Sequence, residues 1–235
     1  MPTARVGDVD LYYEVHGSGA PLLLIPGLGG DVGQFRPLID ELAASFRVLA
    51  FDPRGAGRSA RPDVPYSIEM MANDAARLMD AVEVPRAHVF GFSLGGRVAL
   101  AHALMHPERV ESLVLAGTAA RSVDDRRTRL RHAVAARVPR LRLLQRFDPR
   151  PVGGYLRQER AWRDFDCSAR LGEIRVRALI LHARDDLVVP YERAVELHAA
   201  LENSRLVPFA GGHLFVLTAA TPSVSSDVRD FVASL

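Results

Sequence analysis

A serine set between glycines, Gly91-Phe92-Ser93-Leu94-Gly95, is the first feature of this chain whose residue types could do chemistry. It follows an apolar run, His88 to Phe92, and opens a helical stripe through Val98, Ala101, Leu104 and Met105 that stops at Pro107. A glycine-flanked strand-to-helix turn can tighten until the serine hydroxyl stands free of the backbone, as a nucleophile elbow requires. A hydroxyl is a poor nucleophile at neutral pH and needs a base, itself oriented by a carboxylate. Among the eight histidines, His213 in Ala210-Gly211-Gly212-His213 falls just past the final predicted strand, where a loop ends above the carboxyl edge of a sheet. His88 and His182 fall within strands, and His102, His106 and His198 on helices, where packing or solvation is the expected role. For the carboxylate, Asp186 in Arg184-Asp185-Asp186-Leu187-Val188-Val189-Pro190 follows the strand Ala178 to His182; Asp185 is the rival, expected to shape the turn. Ser93, Asp186 and His213, in that chain order, are the expected catalytic set. The oxyanion produced by attack on a carbonyl needs preorganised donors. The Leu94 N–H at the helix start and the Leu28 N–H in Pro26-Gly27-Leu28-Gly29-Gly30 are the expected pair.

These residues need a frame, and the pattern supplies one. Leu11 to Val15, Pro21 to Ile25, Phe46 to Phe51, His88 to Phe92, Ser112 to Ala116, Ala178 to His182 and Leu206 to Phe209 read as strands. Helical stripes lie between them: Phe35, Leu38, Ile39 and Leu42; Ile68 through Val82; Ala194, Leu197 and Leu201. A last stripe holds Val224, Val228, Phe231, Val232 and Leu235. Such alternation predicts an α/β fold with a mostly parallel sheet flanked by helices. Only 121–170 breaks it, with helical stripes (Leu130, Val134, Val138, Leu141, Leu144) and no strand. The expected organisation is a core formed by 1–120 and 171–235, with an arginine-rich helical cap at 121–170.

Composition narrows the function classes. At 235 residues, 48% apolar and 25% charged, the chain has the makeup of an ordinary globular domain rather than a coiled coil or a disordered segment. A single cysteine, Cys167, excludes an internal disulfide framework and multi-cysteine metal sites. The N-terminus lacks the apolar region of a signal peptide and no uncharged run is long enough to span a bilayer, so a cytoplasmic location is expected. All 30 basic residues are arginine, and 121–170 holds 14 of them against 6 acids, a local net of +8. That cluster could steer a substrate bearing a carboxylate or phosphate, or could be a solvated helical surface whose Arg stems cover apolar area. It lacks the interleaved aromatics of a nucleic-acid platform.

Together with Asp52-Pro53-Arg54-Gly55-Ala56-Gly57-Arg58-Ser59, the motifs around Ser93, Asp186 and His213 resemble the α/β-hydrolase superfamily, over nearly the whole chain except the insertion. The segments Pro65-Tyr66-Ser67-Ile68 and Ala116-Gly117-Thr118-Ala119-Ala120-Arg121 look closest to enol-lactonase-like and small carboxylesterase members. The resemblance implies an eight-stranded sheet with its second strand antiparallel, a cap after strand six and no cofactor or metal. It also implies hydrolysis of a small ester or lactone through an acyl-enzyme on Ser93. The same triad could serve a C–C bond hydrolase or a perhydrolase, and a ligand-receptor or signalling-partner protein could retain it. A carboxylate in place of Ser93 would mark dehalogenases and epoxide hydrolases, so those branches are excluded. One departure stands out: many relatives have His-Gly where this chain has Pro26-Gly27, so the oxyanion loop must be held differently. For the substrate pocket the expected apolar lining is Phe35, Phe92, Val188, Leu214 and Phe215, with Tyr155 and Trp162 from the cap.

Overall fold

The computed structural model describes residues 2–122 and 151–235. Eight strands form one sheet: β1 (Thr3–Val6), β2 (Val9–His16), β3 (Ala20–Ile25), β4 (Phe46–Phe51), β5 (Ala87–Phe92), β6 (Val110–Ala116), β7 (Ala178–Ala183) and β8 (Ser204–Phe209). Their spatial order is β1-β2-β4-β3-β5-β6-β7-β8. β2 runs antiparallel to both β1 and β4, and every other pair is parallel. Strand β1 went unread in the sequence because it is a short edge strand with only Val6 fully buried.

The period of two along the central strands divides the core. In β3, Leu23 and Ile25 face one side while Leu22 and Leu24 face the other. Helices α2 (Ile68–Ala81), α3 (Leu94–Met105) and α5 (Glu192–Ala200) cover the first face, with Trp162 of α4 (Pro151–Asp164) joining them. Helices α1 (Arg36–Ala43) and α6 (Thr221–Ala233) cover the second through Leu38, Ile39, Leu42, Val224 and Val228. Each such fully buried aliphatic side chain contributes about 1.5–3 kcal/mol. At the chain end the expected stripe overreaches: Val232 is half-buried, and Leu235 lies past the helix with half its surface in solvent. Ser67 starts α2 by accepting a hydrogen bond from the Met70 N–H at 3.0 Å.

Much of the predicted cap, including Leu130, Val134, Val138, Leu141 and Leu144, lies outside the described residues. Its described C-terminal part is helix α4, followed by a 3₁₀ segment, Ser168–Glu173, that leads into β7. An isolated bridge pairs Arg121 with Asp166 where the chain leaves and re-enters the core. Among the described residues no helix is long and apolar enough to cross a membrane.

The loop after β4 carries deeply buried charges. The Asp52 carboxylate accepts from the Val32 N–H at 2.7 Å and the Arg58 N–H at 2.8 Å, tying two loops together. Gly57 is required there, at φ +48°, because a Cβ would stand 2.2 Å from Asp52 Oδ2. Arg54 meets Asp74 through two hydrogen bonds, 2.5 and 2.8 Å, and both side chains are almost wholly buried. Removing Asp74 leaves the buried Arg54 charge with only the solvent-exposed Asp8, 2.9 Å from its Nη2, as an acidic partner. Asp74→Ala is therefore expected to lower the unfolding free energy by about 3–5 kcal/mol, read by urea denaturation of the variant against wild type.

Candidate active site

Ser93 sits between β5 and α3 with φ +53° and ψ −114°, a left-handed backbone that a side chain rarely adopts. Its N–H donates to the Ala116 carbonyl at 2.9 Å, and its own carbonyl accepts from Thr118 Oγ1 at 2.7 Å and from the Gly96 N–H at 3.0 Å. Glycines make the turn possible. A Cβ would stand 2.4 Å from Gly95 O at Gly91 and 2.1 Å from Ile25 O at Gly95. Helix α3 can start this close to the strand ends only with hydrogen in those places.

The three residues expected to act together are brought together. His213 Nε2 lies 2.9 Å from Ser93 Oγ, and His213 Nδ1 lies 2.7 Å from Asp186 Oδ2. An ionised carboxylate only accepts, so the imidazole proton sits on Nδ1, and the Ser93 hydroxyl donates to the free Nε2 lone pair. Asp186 also accepts from the Val188 and Val189 N–H groups, each at 2.8 Å. Burial by itself would raise the Asp186 pKa, but the hydrogen bonds from His182, His213 and the Val189 N–H outweigh it and hold the carboxyl well below its usual range. Asp185, the rival acid, points into solvent, and its N–H donates to Gly211 O at 3.1 Å.

His182 is a partner that sequence reasoning set aside as a strand residue. Its fully buried ring places Nε2 2.8 Å from Val189 O and 3.4 Å from Asp186 Oδ2. A carbonyl can only accept, so Nε2 carries the proton and the ring braces the acid loop from behind. The spacing His182 to Asp186 was the available signal.

The expected oxyanion donors flank the serine. The Leu94 N–H belongs to the first residue of α3 and has no intrahelical acceptor. Across from it, a Cβ added to Gly27 would stand 3.3 Å from Ser93 Cβ, so the Pro26–Gly30 loop lies against Ser93. The Leu28 N–H has no acceptor among the described residues.

The expected pocket residues divide. Phe92 packs its ring 5.1 Å from the His213 ring, and Tyr155 of α4 lies against Gly29. Val188 is half-buried beside Asp186, and Leu214, next to His213, is largely exposed. Phe35 and Phe215 are corrected to core residues. Phe35 is buried behind Phe92, 5.7 Å ring to ring, and Phe215 turns inward against Phe209 at 5.1 Å. Nearness to His213 in sequence was the only warrant for Phe215, and the 3₁₀ turn Phe215–Leu217 sends it the other way. Trp162 is buried, with the Arg97 guanidinium 4.5 Å from its ring centre, and the side chains of Trp162 and Val188 line one narrow cleft. Burial pushes the Cys167 thiol up to about 12 and the His102 imidazole down to about 4, so neither is a competing nucleophile or base. Among the described residues no group of three His, Cys, Asp or Glu could hold a metal. Arg157, Arg160, Arg163 and Arg170 each form an ion pair, with Asp63, Asp164, Glu159 and Glu173. Most of the other arginines of 121–170 lie outside the described residues.

Comparison with known proteins bears on the family rather than on these residues. Residues 20–141 match the family model described as alpha/beta hydrolase fold, and residues 159–235 match one described as TAP-like protein. A candidate carbamate hydrolase, RutD, of Azorhizobium caulinodans is 35% identical over 97% of this chain and 96% of its own length. A RutD protein of Variovorax paradoxus, described in the same way, is 36% identical over 95% of this chain and 96% of its own. The enol-lactonase from Burkholderia xenovorans LB400 superposes with a TM-score of 0.87 at 27% identity, covering 99% of this chain and 100% of its own. The meta-cleavage product hydrolase CumD from Pseudomonas fluorescens IP01 gives 0.87 at 25% identity, covering 100% and 98%. With half of its length matched by the family model and nearly all of it by these relatives, the chain belongs to the α/β-hydrolase family and is a hydrolase.

Proposed function

We propose that this protein is a serine hydrolase that cleaves a small carboxylic ester or lactone through an acyl-enzyme on Ser93. The observation that carries the reading is the unbroken relay from Ser93 Oγ through His213 to a buried, ionised Asp186. Ser93 Oγ attacks the carbonyl carbon while His213 Nε2 takes its proton, and Asp186 steadies the resulting imidazolium. The oxyanion is met by the N–H groups of Leu28 and Leu94. As the tetrahedral intermediate collapses, the imidazolium returns the proton to the departing alkoxide. Water, deprotonated by the same imidazole, then attacks the acyl-enzyme and frees the acid and Ser93. None of these steps calls for a metal or organic cofactor. The relatives named as candidate carbamate hydrolases favour a second reading, in which the carbonyl belongs to a carbamate and the leaving group is ammonia or an amine. Phe92 and Tyr155 beside the serine and the oxyanion loop favour an apolar acyl chain in either case.

Turnover of p-nitrophenyl esters of graded chain length tests this. Wild type is expected to show a defined chain-length optimum, and Ser93→Ala to lose about 10⁴-fold or more in kcat. Equal turnover by the two proteins, or none by wild type, would overturn the reading. Comparing kcat/KM for ethyl butyrate and an alkyl carbamate, with alcohol and ammonia release from the carbamate measured separately, decides between the two leaving groups.

Bracing of the acid loop has its own signature. His182→Leu removes the donor to Val189 O and Asp186 and is expected to cost about 1–3 kcal/mol in urea denaturation. kcat should fall while KM holds, because the substrate itself does not touch His182.

A further inference from the structure

The Pro26–Gly30 loop has little of its own to hold it in shape. It is a turn closed by one hydrogen bond, from the Gly30 N–H to Gly27 O at 2.9 Å. Leu28 and Gly29 are its central residues, and Gly29 has φ +67° while Leu28 does not take a positive φ. A positive φ at the third position alone marks a type II turn. In such a turn the central peptide, here Leu28–Gly29, can rotate to the type I arrangement with little movement of its neighbours. That rotation would exchange the Gly29 N–H for the Leu28 carbonyl oxygen, reversing a dipole directly beside the Leu28 N–H.

One side chain opposes the rotation. Gln158, on α4 and fully buried, accepts from the Gly29 N–H through Oε1 at 2.8 Å and donates through Nε2 to Arg54 O at 2.7 Å. Its orientation is fixed by its partners, since an N–H can only donate and a carbonyl can only accept. Helix α4 is itself pressed onto the second of these loops. A Cβ at Gly154 would stand 2.2 Å from Gly55 O, and Gly55 has φ +85°. The Gln158 amide therefore rests on a backbone contact too close to give way.

We propose that Gln158 is a positioning residue for catalysis, locking the Leu28–Gly29 peptide so that the Leu28 N–H stays aimed at the oxyanion. The inference rests on the ester-hydrolase reading above and adds a residue that acts through the loop, not on the substrate. It also says what holds the loop in a chain that has Pro26 in place of a histidine.

Two variants separate this role from simple packing. Gln158→Met keeps the length and loses both hydrogen bonds. With p-nitrophenyl butyrate, kcat is expected to fall about 10- to 100-fold, part of the 10²- to 10³-fold lost when an oxyanion donor is deleted outright. KM should stay within about threefold, and affinity for butylboronic acid, which forms a tetrahedral adduct on the serine, should fall in parallel with kcat. Gln158→Glu is a test by pH. Protonated, its carbonyl oxygen can accept from Gly29 and its hydroxyl can donate to Arg54 O, reproducing the amide. Burial opposite a carbonyl raises such an acid's pKa, and ionisation removes the donor. Of the nearby cations, Arg157 is paired with Asp63, and Arg54 is held by Asp74 and Asp8 through Nε and Nη2, leaving only its buried Nη1 without a hydrogen-bond partner among the described residues. The ratio of Gln158→Glu to wild-type kcat should therefore fall as pH rises, adding an alkaline limb that wild type lacks.

Unchanged kcat and boronate affinity in Gln158→Met would overturn the inference alone, as would a pH-independent ratio for Gln158→Glu. If Gln158→Met does not fold, the Gln158→Glu profile decides. A wild type that neither turns over the ester nor binds the boronate would overturn the ester-hydrolase reading and this inference with it.

Discussion

A serine held at positive φ is the constraint around which this molecule is organised. For an ordinary side chain that backbone costs on the order of 1–2 kcal/mol and persists only where its surroundings leave no alternative. Here the Ala116 carbonyl and the Thr118 hydroxyl grip Ser93 from the end of β6, and glycines let α3 begin almost in contact with the end of β3. The strand order places β5 between β3 and β6, so both neighbours reach Ser93 from the same edge of the sheet. Loops from β7 and β8 then deliver Asp186 and His213 to that edge. The sheet is the rigid body, and Ser93, Asp186 and His213 stand at its terminations.

Electrostatics at the acid loop follows from the same economy of space. A carboxylate as buried as Asp186 is tolerable only with its oxygens occupied, and two backbone N–H groups and two imidazoles do this. The consequence runs toward His213. Because every lone pair that matters is engaged in one geometry, the imidazole has a single comfortable orientation, with Nε2 toward Ser93.

Most of the frame was legible because its signals are local. Apolar runs marked β3, β5 and β7, helical stripes marked α2 and α3, and the Gly-x-Ser-x-Gly turn lay at the junction where strand gives way to helix. Asp186 and His213 could be placed because each follows a strand closely. What stayed hidden was set by tertiary packing. Gln158 is a polar residue on a charged helix, and nothing around it in sequence says that it is fully buried between two loops more than a hundred residues away. His182 looked like a strand residue and is one, yet its ring reaches the acid four positions on. Phe215 failed for the opposite reason, since proximity in sequence to His213 was mistaken for proximity to its reacting face.

Helix α4 touches the site in two capacities. Tyr155 stands against Gly29, where an acyl chain would lie, while Gln158, one turn on, grips the backbone of that same residue. On the proposed reading, selectivity and turnover would be mechanically linked within four residues. Adaptation to new substrates by exchanging this helix wholesale would carry a penalty in speed, and tolerated drift should concentrate on its outward face, around Arg160 and Arg163, leaving 154 and 158 fixed.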